Sequence, residues 1–230
     1  MWKFIVIEWV DGSGKATQTK LLRENLQVLW YKIDTISFPM YGSWSCVFVE
    51  RFLNWQFWPI DSVDPYIAST FYTLDRFWHK KEIEEKIKNN DFLISDRYSI
   101  SNFIHRWSHF LQEGKIDEMK KFFDWIYDLE FNKACLPKPD LIIFLSLSLE
   151  NIKKLLLKKA EQQREYIKWD TLDWAEKNLE HQRYSLEVGK KYLKQWFDNL
   201  VVIECEDEDG NLLSPEEINK KILSHFFEIC

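Results

Sequence analysis

Glycine is scarce in this chain, with 6 residues among 230, while tryptophan appears 12 times. Average usage near ~7% would give roughly 16 glycines at this length. Cysteine is also sparse. Cys46, Cys135, Cys205 and Cys230 are scattered with no C-x-x-C pair, which argues against a zinc ribbon or a disulfide framework and suits a reducing compartment. No apolar run approaches the ~18 residues of a membrane helix. The sequence opens directly on a strand pattern, so neither a membrane span nor a signal peptide is expected, and a cytoplasmic location is. A basic excess is missing too. The balance of 31 Lys+Arg against 37 Asp+Glu gives a net charge of −6, which argues against a general nucleic-acid or membrane-surface role and leaves room for a local basic site.

What is present reads as an ordinary globular composition, 46% hydrophobic and 30% charged. The length suits one domain, or a domain with a lid. Helical and strand patterns alternate throughout, which predicts an α/β fold built on a parallel sheet. Strands are predicted at Phe4–Glu8, Lys32–Phe38, Phe92–Asp96, Leu141–Leu147 and Leu200–Cys205, all apolar on both faces as buried parallel strands require. Helices are predicted at Lys15–Leu29, about Ser45–Leu53, Pro65–Lys88, Ser99–Phe110, Ile116–Asn132, Leu149–Gln163, Asp173–Phe197 and Pro215–Phe227. In such sheets ligands collect at the carboxyl ends of the strands.

Between the first strand and the first helix stands Trp9-Val10-Asp11-Gly12-Ser13-Gly14-Lys15-Ala16. The phosphate-binding loop pattern is G-x-x-x-x-G-K-[ST] at such a junction. The core Asp11 to Lys15 fits: backbone N–H groups curl round a phosphate at a positive helix end, and Lys15 adds a point charge. Both ends depart from the pattern. Trp9 replaces the first glycine and Ala16 replaces the hydroxyl residue that binds magnesium.

Trp9 is one of several tryptophans where glycine has a physical reason to be. Trp30 follows the first helix where a left-handed residue is favoured; Trp44 sits in Gly42-Ser43-Trp44-Ser45; Trp55 and Trp58 flank a polar turn before Pro59. Trp125 and Trp196 lie on amphipathic helices and read as core. With those two set aside, the remaining tryptophans and the glycines together reach the expected glycine count. Many of these tryptophans are therefore read as glycines in the cell, from a UGA codon translated as glycine. The alternative is a genuinely tryptophan-rich protein.

Further along, Asp96-Arg97-Tyr98 closes the strand Phe92-Leu93-Ile94-Ser95. A strand-end aspartate beside a phosphate loop suits nucleotide-bound magnesium, and the arginine suits bidentate contact with phosphoryl oxygens. A surface salt bridge is the plainer reading of that pair alone. The order and spacing of the phosphate loop, Phe38-Pro39-Met40-Tyr41-Gly42, Leu74-Asp75-Arg76, Asp96 to Asn102 and Leu136-Pro137-Lys138-Pro139-Asp140-Leu141 resemble those of thymidylate kinases.

The resemblance implies a P-loop NTPase three-layer sandwich over residues 1–230, with a five-stranded parallel sheet and a small helical lid at about 153–172. It implies an enzyme that phosphorylates dTMP to dTDP with ATP and Mg²⁺ for dTTP synthesis, and a homodimer. By position, Lys15 and the amides of Gly12, Ser13, Gly14, Ala16 and Thr17 would hold the ATP phosphates. Asp11 would bind the thymidylate sugar 3′-hydroxyl or the arginine beside it. Phe38, Tyr41, Tyr72, Arg76, Ser101, Asn102 and His105 would line the acceptor site, with Tyr72 stacking on the base, Arg76 and Asn102 at the base, and His105 near the ribose 2′-position. Arg97 would grip the acceptor phosphate and Asp96 the magnesium. Gln162-Gln163-Arg164-Glu165-Tyr166 resembles the lid, and Arg164 is its candidate catalytic arginine.

The acceptor phosphate is already nucleophilic, so positioning and charge neutralisation carry the catalysis. Other features have plainer readings. His105 and His109 are spaced i,i+4 without a third metal ligand. The lysines from Lys153 to Lys168 form in part a solvated helix face. Glu204 to Gly210 is an acidic turn. A broader deoxynucleoside-monophosphate kinase and, if Trp9 is real, a catalytically impaired nucleotide-binding protein remain the alternatives.

Overall fold

The computed structural model describes residues 3–9, 15–57, 63–162 and 179–229. Asp11, Gly12, Ser13, Gly14, Trp58 and Arg164 lie outside the described residues, as do residues 163–172 of the expected lid.

Five strands, β1 (Lys3–Trp9), β2 (Ile33–Ser37), β3 (Phe92–Asp96), β4 (Leu141–Ser146) and β5 (Leu200–Glu204), form one sheet in the order β2-β3-β1-β4-β5. All pairings are parallel, with Ile7 opposite Asp96 on one side and opposite Ile143 on the other. The inner strands β1, β3 and β4 are apolar runs because both of their faces are covered, and they form the centre of the core. The chain leaves β1 toward β2 and leaves β3 toward β4, in opposite directions across the sheet. That reversal opens a crevice between the carboxyl ends of β1 and β3, where open α/β sheets bind ligands.

Helices flank the sheet: α1 (Lys15–Val28), α2 (Val47–Leu53), α3 (Pro65–Trp78), α4 (Lys80–Asn89), α5 (Ile100–Gln112), α6 (Ile116–Tyr127), α7 (Leu149–Gln162), α8 (Leu179–Glu187) and α9 (Pro215–Ile229). Local chemistry fixes several starts. Asp64 caps α3 by accepting from Tyr66 N at 2.7 Å, with Pro65 at the first position. Ser214 and Glu217 form a reciprocal capping box on α9. Helices α1 and α9 are locked together by Asn219, which accepts from Asn25 Nδ2 at 2.8 Å and donates to Gln18 Oε1 at 3.1 Å.

Three predicted helices are interrupted. The helix expected over Pro65–Lys88 breaks at His79, whose ring is held on one side by Ser45 Oγ at 3.1 Å and on the other by Glu82 at 2.9 Å. The helix expected over Ile116–Asn132 is α6 followed by a wider π-helical turn, Asp128–Lys133. The expected Asp173–Phe197 helix is α8, a π-helical turn Val188–Tyr192 and a 3₁₀ turn Leu193–Gln195, its first residues lying outside the described ones. Trp125 and Trp196 pack on the core as expected, Trp125 edge-on to Tyr66 and Trp196 stacked on Phe123.

Helix ends bear on the tryptophan question. At the end of α1, Tyr31 N donates to Leu26 O and Trp30 N to Gln27 O. At the end of α2, Gln56 N donates to Arg51 O and Trp55 N to Phe52 O. At the end of α5, Lys115 N donates to Phe110 O and Gly114 N to Leu111 O. Each is the paired-bond Schellman arrangement, whose C′ residue must be left-handed. The C′ residues are Trp30 at φ 68°, Trp55 at φ 60° and Gly114 at φ 71°.

Candidate active site

The crevice between β1 and β3 is built around Glu8, an acid buried at the end of the apolar β1 run. Its carboxylate accepts from Tyr98 N at 2.8 Å, Ser101 N at 3.1 Å and Ser101 Oγ at 2.8 Å. Glu8 thereby ties the start of α5 to β1, and Ser101 spends its hydroxyl on that tie. Between them Arg97 adopts a left-handed backbone, φ 63°. Its N–H donates to Ile7 O at 3.0 Å, and its carbonyl accepts from Ser95 Oγ at 2.5 Å. A bulky residue persists in this region only where surrounding bonds over-determine it, and such outliers cluster at functional sites. Asp96, half-buried, ends β3 beside it, and its carbonyl accepts from Phe38 N at 3.0 Å.

The β2 end meets the site through Phe38, buried against the Tyr98 ring, and the cis Phe38–Pro39 peptide. Asp75 on α3 anchors this segment by accepting from Met40 N at 2.8 Å and from Ser45 Oγ at 2.6 Å. Tyr41, just beyond, is exposed. Burial, with Asp75 and Glu50 nearby, pushes the Cys46 thiol up to about 12.

Next to Asp75 on α3, Arg76 is fully buried and ion-paired with Glu130, also fully buried, on the π-helical turn after α6. The same Glu130 Oε1 accepts from Thr73 Oγ1 and from Asn102 Nδ2, both at 2.8 Å. The family resemblance places Arg76 and Asn102 at the acceptor base, and in the structure both meet on the carboxylate of Glu130, a residue that no motif in the sequence marks. The half-buried ring of Tyr72 lies near Phe52 and under the Arg106 guanidinium, 5.9 Å from its centroid. Burial, reinforced by the Glu130 charge, holds the Tyr98 phenol far above its usual range and therefore neutral.

His105 Nδ1 lies 3.3 Å from Nε2 of His181 on α8. Among the described residues no group of three or more His, Cys, Asp or Glu could hold a metal ion. Ala16 and Thr17 stand exposed in the first turn of α1, which Lys15 opens. The acidic turn is more ordered than its composition implied. Glu206 accepts from Ser148 N at 2.8 Å and Asn151 Nδ2 at 2.6 Å, and although burial opposes it, these bonds hold its carboxyl below the usual range.

A parallel sheet with its crevice at β1 and β3, an Asp-Arg pair at the strand end and a phosphate-loop motif entering α1 defines an α/β protein of the P-loop kinase class. A model of the thymidylate kinase family matches residues 7–203, and the chain belongs to that family. It is 24% identical to a probable thymidylate kinase of Methanocaldococcus jannaschii over 98% of this chain and 96% of that one. The thymidylate kinase of Mycobacterium tuberculosis is 30% identical over 64% of this chain and 66% of its own length. The probable thymidylate kinase of Pyrobaculum aerophilum is 29% identical over 63% of this chain and 64% of its own. The fold is similar to that of thymidylate kinase from Candida albicans, with a TM-score of 0.71 at 19% identity over 99% of this chain and 92% of that one.

Proposed function

We propose that this protein transfers the terminal phosphoryl group of ATP to dTMP, forming dTDP for dTTP synthesis. The observation that carries the reading is the locked Asp96-Arg97 corner beside β1, with the Arg76–Asn102 pair one helix away. Arg97, fixed by its left-handed backbone, would hold the acceptor phosphate; Tyr72, Arg76 and Asn102 would receive the base, and Tyr41, Phe38 and His105 the remaining walls. Lys15 and the loop amides from Gly12 to Thr17 would hold the ATP phosphates, with Asp11 at the sugar. Arg164 in the lid segment, about 153–172, would reach the transferring group.

No general base is needed, because the acceptor is an anionic phosphate. Catalysis rests on alignment and on neutralised charge. Mg²⁺, when bound with ATP, supplies charge neutralisation between the phosphates. Asp96 is the oxygen ligand that fits it, while Ala16 offers no hydroxyl, leaving phosphate oxygens and waters to complete the shell.

A homodimer fits the outer face of α3, where Ile67, Leu74, Phe77 and Trp78 are exposed beside an apolar groove of about 490 Å³ lined also by Phe48 and Phe71. A second copy of the same face would cover it, and sedimentation should give twice the chain mass. No described helix is long and apolar enough to cross a membrane, and a cytoplasmic enzyme acting on free nucleotides, without nucleic acid, is consistent with that. The test is a coupled assay with ATP and a panel of monophosphates. Turnover of dTMP above dUMP and dCMP supports the reading. A preference for another monophosphate replaces it with a broader kinase.

A further inference from the structure

We propose that Glu130 is a positioning residue that sets the base selectivity of the acceptor site. The proposal rests on reading Arg76 and Asn102 as base-facing. Asn102 Nδ2 donates to Glu130 Oε1 at 2.8 Å and lies 3.4 Å from Ser69 O. Both neighbours are acceptors, so the amide nitrogen is committed to them and the amide oxygen is left as the group to offer elsewhere. Arg76 can only donate. One of its terminal nitrogens is paired with Glu130 and the other is 3.5 Å from Tyr98 O, at the limit of a bond.

Glu130 therefore fixes a donor and an acceptor side by side. A pyrimidine with a carbonyl at C4 and N–H at N3, as in thymine or uracil, matches that order. Cytosine meets a donor with its amino group and an acceptor with its N3 lone pair. Buried polar groups left unpaired by such a mismatch are what make selectivity large. The network is also unsaturated. Among the described residues, Arg76 Nε and Glu130 Oε2 are buried with no hydrogen-bond partner, the condition under which a buried cluster takes up a polar ligand or water.

The test measures kcat/KM for dTMP and dCMP on the full chain and on Glu130→Ala and Glu130→Gln. Glu130→Ala should lower the dTMP:dCMP ratio by about tenfold or more, the worth of one misdirected buried bond. Glu130→Gln retains an acceptor oxygen but not the charge facing Arg76, and should lower the ratio by a smaller factor. A merely structural role would depress both substrates together. A folded variant of either kind that keeps the full ratio overturns the proposal. A parent chain that turns over other monophosphates but neither of these overturns the acceptor reading beneath it instead.

An independent observation carries a second inference. From the backbone at two helix ends we infer that positions 30 and 55 hold glycine in the cellular protein. Among the described residues three Schellman ends share the same pair of bonds, one on Gly114 and two on Trp30 and Trp55. A side chain in the left-handed region strains the backbone, and neither tryptophan recovers that cost by burial, being 95% and 56% exposed. A UGA codon read as glycine accounts for both, and for Trp9, which stands at the first glycine of the loop pattern and whose buried indole nitrogen has no partner among the described residues.

Peptide mass spectrometry of the protein from its source cells decides it. Glycine at 30 and 55 is expected; tryptophan at either overturns the inference for that position. In recombinant protein, Trp30→Gly and Trp55→Gly should each raise Tm, and a lowered Tm would remove the conformational premise.

Discussion

Gly189 lies against the ring of Phe144 so closely that a Cβ on it would stand 2.1 Å from Cζ. The π-helical turn Val188–Tyr192 thus rests its backbone directly on the inner strand β4. Gly189→Ala must push the turn or the ring aside, a cost of about 1–3 kcal/mol for an overpacked core. Thermal or urea unfolding checks this. The loss should shrink in a Phe144→Leu background, where the ring no longer blocks the methyl group.

Arg97 should be sensitive to its fork rather than only to its charge. Arg97→Lys keeps one positive charge but loses the bidentate geometry, and kcat should fall by about 10²–10³-fold, the size seen when one oriented donor is lost. Arg164→Ala should lower kcat far more than it changes the KM for dTMP. Steady-state kinetics over both substrates separate these, and an unchanged kcat would remove the residue from the mechanism.

Ala16 stands where the phosphate-loop pattern has the hydroxyl residue that binds magnesium. Ala16→Ser should therefore reduce the Mg²⁺ concentration needed for half-maximal activity. Titration of activity with Mg²⁺ at fixed ATP reads this directly, and identical curves would count against a raised Mg²⁺ requirement caused by the missing hydroxyl.

Acid should weaken the fold in a defined window. Against the opposing effect of burial, hydrogen bonds from Ser148 and Asn151 hold Glu206 low, and Lys86 and Thr35 hold Asp34 low. A carboxylate depressed in the folded state stabilises it fully above its unfolded pKa near ~4.3 and loses that contribution as pH falls through the folded value. Tm should be level from neutrality to about pH 5 and decline below it. Glu206→Gln should be less stable than the parent at pH 7, with the gap closing at low pH. A gap independent of pH would contradict the assignment.

Much of the architecture was legible because β1, β3 and β4 are apolar on both faces, as strands of a covered parallel sheet are, and alternate with helical patterns. The left-handed end at Trp30 was legible from the helix-to-strand junction alone. Other relationships were not. Arg76 and Glu130 are distant in sequence and meet only through the packing of α3 against the turn after α6. The His79 break lies inside a continuous helical pattern, and the Ser45 contact that holds its ring comes from another segment. The left-handed backbone of Arg97 depends on Ile7, Ser95 and Glu8 at once, and the His105–His181 pair on the docking of α8 against α5.

The central claim is dTMP phosphorylation at the β1–β3 crevice, and the most direct measurement is dTDP formation from dTMP and ATP by the parent chain and its Trp9→Gly variant, with ATP binding followed by calorimetry. The expected result is dTMP turnover by the Trp9→Gly variant, with the parent weaker in both ATP binding and rate. A Trp9→Gly protein that binds ATP yet leaves dTMP unphosphorylated would contradict the account.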